Sequence, residues 1–203
     1  MRFLPIVKGA LTYVPFLYSA ERGTTGGTGL ARYCYAVWMR HLVATAGATR
    51  PGIPRVVAEL GPGDSLGIGL CALLSGADTL LAFDVVQYAH APDNERILHE
   101  LATLMRQRAP VPDEREFPDV NPRLADYAFP RHLLDDAAVD AATSEARVAD
   151  IARALRTGRS GAIEIRYLVP WTEIPPGHAG RVDFIYSQAV LEHVSDLAPA
   201  YAA

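Results

Sequence analysis

A doubly wound α/β domain with a mostly parallel sheet, preceded by a helical N-terminal segment, is the fold the sequence predicts. Three observations predict it. Short apolar runs bounded by turn residues recur as "RVVAEL", "DTLLAFDVV", "AIEIRYLV" and "RVDFIYSQ", and they read as buried strands. Stretches with an apolar stripe at helical spacing alternate with them. The first two strands and the glycine turn and helix between them span about thirty residues, the length of a βαβ unit whose crossover makes its strands parallel.

Residues 1–50 form the N-terminal segment. Its "ERGTTGGTG" reads as a flexible hinge, with neither a preceding strand nor a lysine. A helix follows in "LARYCYAVWMRHLVATAG", where Leu30, Cys34, Val37, Trp38 and Leu42 fall at helical spacing and Gly47 is a stop. This aromatic helix is expected to pack over the sheet or to act as a lid.

The main domain, 51–203, opens with the strand "RVVAEL". Asp64 or Ser65 is expected to cap the next helix, which runs to Ser75 before Gly76. The second strand, 78–86, leads into a helix over 93–108 with Ile97, Leu98, Leu101, Leu104 and Met105 inward. Residues 109–130 hold five prolines and read as an irregular loop. Thr143 or Ser144 caps a helix ending at Gly158, and the strands 162–169 and 181–188 follow, then a helix from Ala189. The stretch of about 90–160 is thus a long helical insertion before the third strand.

Half of the residues are hydrophobic and 21% are charged, which places the chain among globular proteins. A net charge of -4 argues against a nucleic-acid binder. Pro5, Lys8 and Pro15 interrupt the apolar N-terminus, which argues against a secretory leader. No run of about eighteen apolar residues suggests a membrane span. Cys34 and Cys71 stand apart, outside any CxxC pattern, which suggests a reduced, cytoplasmic setting. The histidines and cysteines lack metal-ligand spacing, so no metal site is expected.

"VVAELGPGDSLGIGL" carries the functional signal. A dinucleotide turn has the spacing G-x-G-x-x-G, whereas Gly61, Gly63 and Gly67 are one residue wider. No GK[ST] follows, so a Walker loop is excluded. Glu59 and Asp64 bracket the turn, and both would repel a pyrophosphate. The turn suits a nucleoside ligand that carries positive charge and no phosphate, and S-adenosyl-L-methionine fits. Asp84 ends the second strand, where a carboxylate can accept both ribose hydroxyls. Glu59, Gly61 and Gly63, with Pro62 between the glycines, would hold the amino-acid end. Asp84 and the adjoining Val85 would hold the ribose.

These residues resemble the class I S-adenosylmethionine-dependent methyltransferases, in their small-molecule, type 11-like branch. The resemblance rests on "ELGPGDSLG" at 59–67, "FDVV" at 83–86 and "VDFIYSQAVLEHVSDL" at 182–197, and covers about 55–197. "GGTGLARYCYAVWMRHL" is similar to the N-terminal helix of some uncharacterised bacterial members. The family's third glycine is Ser65 here. The resemblance implies a Rossmann-like sheet of strand order 3-2-1-4-5-7-6. The chain reaches only the helix after the fourth strand, so an incomplete, truncated or split version is expected. That fourth strand would then be open to self-association or to a missing C-terminal half.

The resemblance further implies that Ser187 and Gln188 face the methionine part of the cofactor, and that Trp171 and Thr172 lie near the adenine. His193 is the candidate proton acceptor, with Glu192 beside it; the other reading has His193 hydrogen-bonding within its helix. Methyl transfer to a small-molecule acceptor is the expected activity. The alternatives are an inactive cofactor-binding remnant or partner module, and an NAD-dependent oxidoreductase.

Overall fold

A computed structural model describes residues 27–46, 52–171 and 176–191. Its elements in chain order are α1 (Ala31–Thr45), β1 (Val56–Leu60), α2 (Gly67–Leu73), β2 (Thr79–Phe83), α3 (Ala91–Arg106), α4 (Asp136–Ala142), α5 (Glu145–Thr157), β3 (Arg159–Ser160), β4 (Ile163–Leu168) and β5 (Phe184–Ser187). They form an α/β unit around one mixed sheet of order β3-β4-β2-β1-β5. β1, β2, β4 and β5 are mutually parallel, and only the two-residue β3 runs antiparallel to β4.

The helix starts and stops have local causes. Asp135 accepts the Ala138 N–H at the start of α4, and the Ser144 hydroxyl accepts that of Arg147 at the start of α5. Gly158 ends α5 at φ +82°, a conformation glycine adopts without a Cβ clash. α2 ends at Leu73, two residues before the expected Ser75. Its N-cap residue is Leu66 rather than the expected Asp64 or Ser65, although the Ser65 hydroxyl accepts the Gly67 N–H at 3.0 Å and Asn94 of α3 accepts the Leu66 N–H at 2.8 Å. β2 stops at Phe83, so Asp84 and Val85 lie just beyond the strand.

Alternation along the strands sorts side chains onto two faces. Val57, Leu80, Ala82, Ile163, Ile165 and Tyr186 point into the large core that all five described helices share. Ala58, Leu81 and Phe83 point to the other face, where Leu60, Leu168, Trp171 and Val182 join them. Among the described residues that second face carries no helix. The doubly wound expectation is therefore met on one side only; most of the helix expected from Ala189 onward lies outside the described residues. A groove of about 330 Å³ runs over the bare face, lined by Leu60, Phe83, Trp171, His178, Val182 and Ile185.

α1 packs over the sheet rather than serving as a lid. Its aromatics are core residues: Tyr35 donates to the Ala109 carbonyl at 2.5 Å, and the Trp38 indole donates to Ser75 at 2.8 Å. Arg40, 0% exposed, donates to the carbonyls of Pro112 and Val120 and lies 5.3 Å from the centre of the Tyr127 ring. A buried guanidinium must find acceptors. Here it finds them in the proline-rich stretch, which it ties to α1.

Candidate functional site

The sheet register brings the sequence-predicted residues to one edge. Leu60, the last residue of β1, pairs with Phe83 of β2 on one side and with Ser187 of β5 on the other. The glycine turn, Asp84 and Gln188 are the next residues along these three strands, so they stand side by side. Gly61 and Gly63 have φ of +69° and +74°, where a side chain would be strained. A Cβ on Gly61 would collide with Val190, which packs against the turn from the end of β5.

Most of the N–H groups of the turn and of the α2 start are taken by the protein itself. Gly61 donates to the Phe83 carbonyl at 2.8 Å, and Gly63 to the Asp84 carboxylate. Asp64 donates to the Thr28 hydroxyl at 2.9 Å, Leu66 to Asn94 and Gly67 to Ser65. Gly69, in the first turn of α2, donates to the Glu59 carboxyl. A phosphate at a helix N-terminus relies on such donors. With these committed, little of a phosphate cradle is left.

Thr28 corrects the reading of "GTTGGTG" as a hinge; residues 23–26 lie outside the described residues. Thr28 is 7% exposed, its hydroxyl holds Asp64, and its carbonyl accepts from Ser65 and from the Cys34 thiol. Gly29 accepts from Arg96 at 3.0 Å. Gly27 to Leu30 thus fastens the glycine turn to α1 and α3.

Glu59 is 1% exposed and faces the helices beneath the turn. One oxygen receives the Gly69 N–H; the other, Oε2, has no hydrogen-bond partner. Tyr186, its partner across the β1–β5 ladder, places its hydroxyl beside this carboxyl but outside hydrogen-bond geometry. Burial pushes the Glu59 carboxyl up to about 8, against the Tyr186 hydroxyl and the Gly69 N–H, which lower it, while the Asp84 charge raises it. Glu59 therefore lies under the turn, where any action on a ligand passes through the loop.

Asp84 is 9% exposed at the edge itself. Its Oδ1 accepts the N–H of Val85 at 2.8 Å and, at 3.5 Å, that of Val86. Burial pushes this carboxyl above its ordinary value, against the lowering by the Val85, Val86 and Gly63 amides. A carboxylate offers about four acceptor sites, so three N–H donors leave it able to take a hydroxyl. Pro62 is buried within the turn, and Val85 is exposed beside Asp84.

At the end of β5, Ser187 has a buried hydroxyl with no hydrogen-bond partner. Gln188 hydrogen-bonds His41 of α1, whose ring lies 5.6 Å from that of Tyr186. Burial lowers the His41 pKa, against the Gln188 side chain, which raises it. His193 and Glu192 lie outside the described residues, as does Thr172. Trp171 is packed into the second-face cluster, its ring 5.2 Å from that of Phe83, while its backbone N–H donates to the Asp84 carbonyl at 2.8 Å.

Sequence reasoning missed Thr28, Asn94, Tyr186 and His41. The first two lie 36 and 28 residues from their partners, and Tyr186 meets Glu59 only through strand register, so no local pattern announces them. Among the described residues, no three His, Cys, Asp or Glu side chains are grouped to hold a metal ion. No helix among them is long and apolar enough to cross a membrane. No protein-family model matches the chain, and neither does any curated protein or solved structure.

Proposed function

We propose that this chain is an S-adenosylmethionine-dependent methyltransferase, acting in the cytoplasm on a small-molecule acceptor. The observation that carries the reading is the glycine turn with its amides already committed to Thr28, Asn94, Ser65, Asp84 and Glu59. Such a turn disfavours a pyrophosphate, and with it the NAD-dependent alternative. Two carboxylates beneath and beside it favour a cation. The order β4-β2-β1-β5 of the parallel strands agrees with a Rossmann-like start of order 3-2-1-4.

When bound, the cofactor supplies a methyl group on a sulfonium, which an acceptor nucleophile takes up. The chain's share of this work is positioning. Asp84 would accept a ribose hydroxyl, and Val85 would flank it. Gly61, Pro62 and Gly63 allow close approach of the amino-acid end, and Ser187 and Gln188 border it from β5. His193 remains the proposed proton acceptor for an acceptor hydroxyl.

Titration calorimetry with S-adenosylmethionine, S-adenosylhomocysteine and NAD tests the reading. Binding of the first two without NAD is expected. Tight NAD binding with no response to S-adenosylhomocysteine overturns it. Binding without methyl transfer to any acceptor in a broad small-molecule screen favours an inactive binding module.

A further inference from the structure

Glu59, Tyr186 and His41 are neighbouring polar side chains between β1, β5 and α1, the first two buried and His41 half-buried. Glu59 and Tyr186 are cross-strand partners, the His41 and Tyr186 rings are 5.6 Å apart, and His41 reaches Gln188 at the open edge of the site. Each of the three keeps one atom without a hydrogen-bond partner: Oε2 of Glu59, the hydroxyl of Tyr186 and Nε2 of His41. A buried polar atom left so has a cost that a function commonly explains.

The surroundings of Glu59 decide which function. From β5 the Tyr186 hydroxyl faces it, and from the end of β2 the Asp84 carboxylate acts on it. Cys34 of α1 and Tyr167 of β4 are within electrostatic reach, and Cys71 of α2 acts on the adjoining Tyr186. The charged neighbour acting on Glu59 is thus another acid, and burial disfavours its ionised form. What this carboxyl lacks is a positive charge, and the glycine turn directly above it is where the proposed ligand would bring one.

We propose that ligand binding at the glycine turn is proton-linked: Glu59 is protonated in the free protein and ionises when a cationic ligand docks above it. This rests on the reading of the turn as the seat of a cationic nucleoside. The O–H bond at the Glu59 carboxyl breaks, its electron pair stays on the carboxylate, and the proton passes to solvent buffer. The ligand's positive charge replaces the proton's, so the buried site keeps its charge balance.

The test is calorimetric titration of the full chain at pH 7 with S-adenosylmethionine, in two buffers of different ionisation enthalpy. Adenosine, the uncharged nucleoside, is the control. Release of close to one proton per S-adenosylmethionine is expected at pH 7, fading as the pH rises past about 8. Adenosine should bind without release, and Glu59→Gln should bind S-adenosylmethionine more weakly and release none. Binding of S-adenosylmethionine with no proton release, or equal release with adenosine, overturns this inference and leaves the methyltransferase reading standing. Failure of both nucleosides to bind overturns that reading and this inference together. The wild-type titrations decide the matter even if the variant does not fold.

Discussion

Asp84 is the residue on which the proposed binding mode turns. Its side chain is held by backbone amides, so its geometry is set before any ligand arrives. Asp84→Asn keeps the shape and removes the charge, and a lost hydrogen bond to a charged group is worth about 1.5–3 kcal/mol. S-adenosylhomocysteine affinity measured by calorimetry should therefore fall roughly 10- to 100-fold; unchanged affinity would place the ribose elsewhere. Glu59 carries a stability signature that needs no ligand. Its carboxyl is raised from 4.5 to about 8 in the fold, so between these values the folded chain holds more protons than the unfolded one. Stability present below the unfolded value is then lost as the pH rises through the folded one, with a slope of up to about 1.4 kcal/mol per pH unit. Urea unfolding from pH 5 to pH 8 should show that decline in the wild type and a flatter profile in Glu59→Gln. Parallel profiles would sink the assignment.

At the scale of elements, two tethers hold the site's framework. Gly27 to Leu30 pins the glycine turn through Thr28, so Thr28→Val, which keeps the shape and loses the acceptor, should cost about 1 kcal/mol in denaturant unfolding. Arg40 pins the proline-rich stretch, and Arg40→Met leaves the Pro112 and Val120 carbonyls without their donor. A loss on the order of 3 kcal/mol is expected, together with faster proteolysis within 109–134; a cleavage pattern like that of the wild type would show the tether to be dispensable. Most of these elements were legible in the sequence. The helices and strands with a clear apolar period appear within a few residues of their expected ends. α4 was not: "DAAVDAA" has a single large apolar residue, Val139, and no stripe to read. β3 is two residues long and exists only as the partner of β4. The cap on the Leu66 N–H was equally hidden, because Asn94 sits inside another helix and reaches across.

Over the whole molecule, the sheet has a covered face and a bare one among the described residues. The outer side of β5 is an edge there as well, with Ile185 57% exposed beside the apolar groove. Exposed strand edges with apolar side chains invite association. Ile185→Lys should therefore reduce any concentration-dependent growth in mass seen by light scattering, and equal growth in both proteins would free this edge of blame. Periodicity and turn chemistry in the sequence determined the α/β class, the parallel strands and the glycine turn at the end of β1, because each depends on neighbours a few residues apart. The same local reading marked Glu59 and Asp64 as acids that do not belong beside a phosphate, and Asp84 as an acid placed for a ribose. Only the tertiary structure decided what each acid does. Strand register put Asp84 at the open edge, while the alternation of β1 turned Glu59 inward against Tyr186. Contacts across 28 and 36 residues decided that amides of the turn are already occupied. Burial and donor occupancy are properties of how distant segments meet, and no window of the chain contains them.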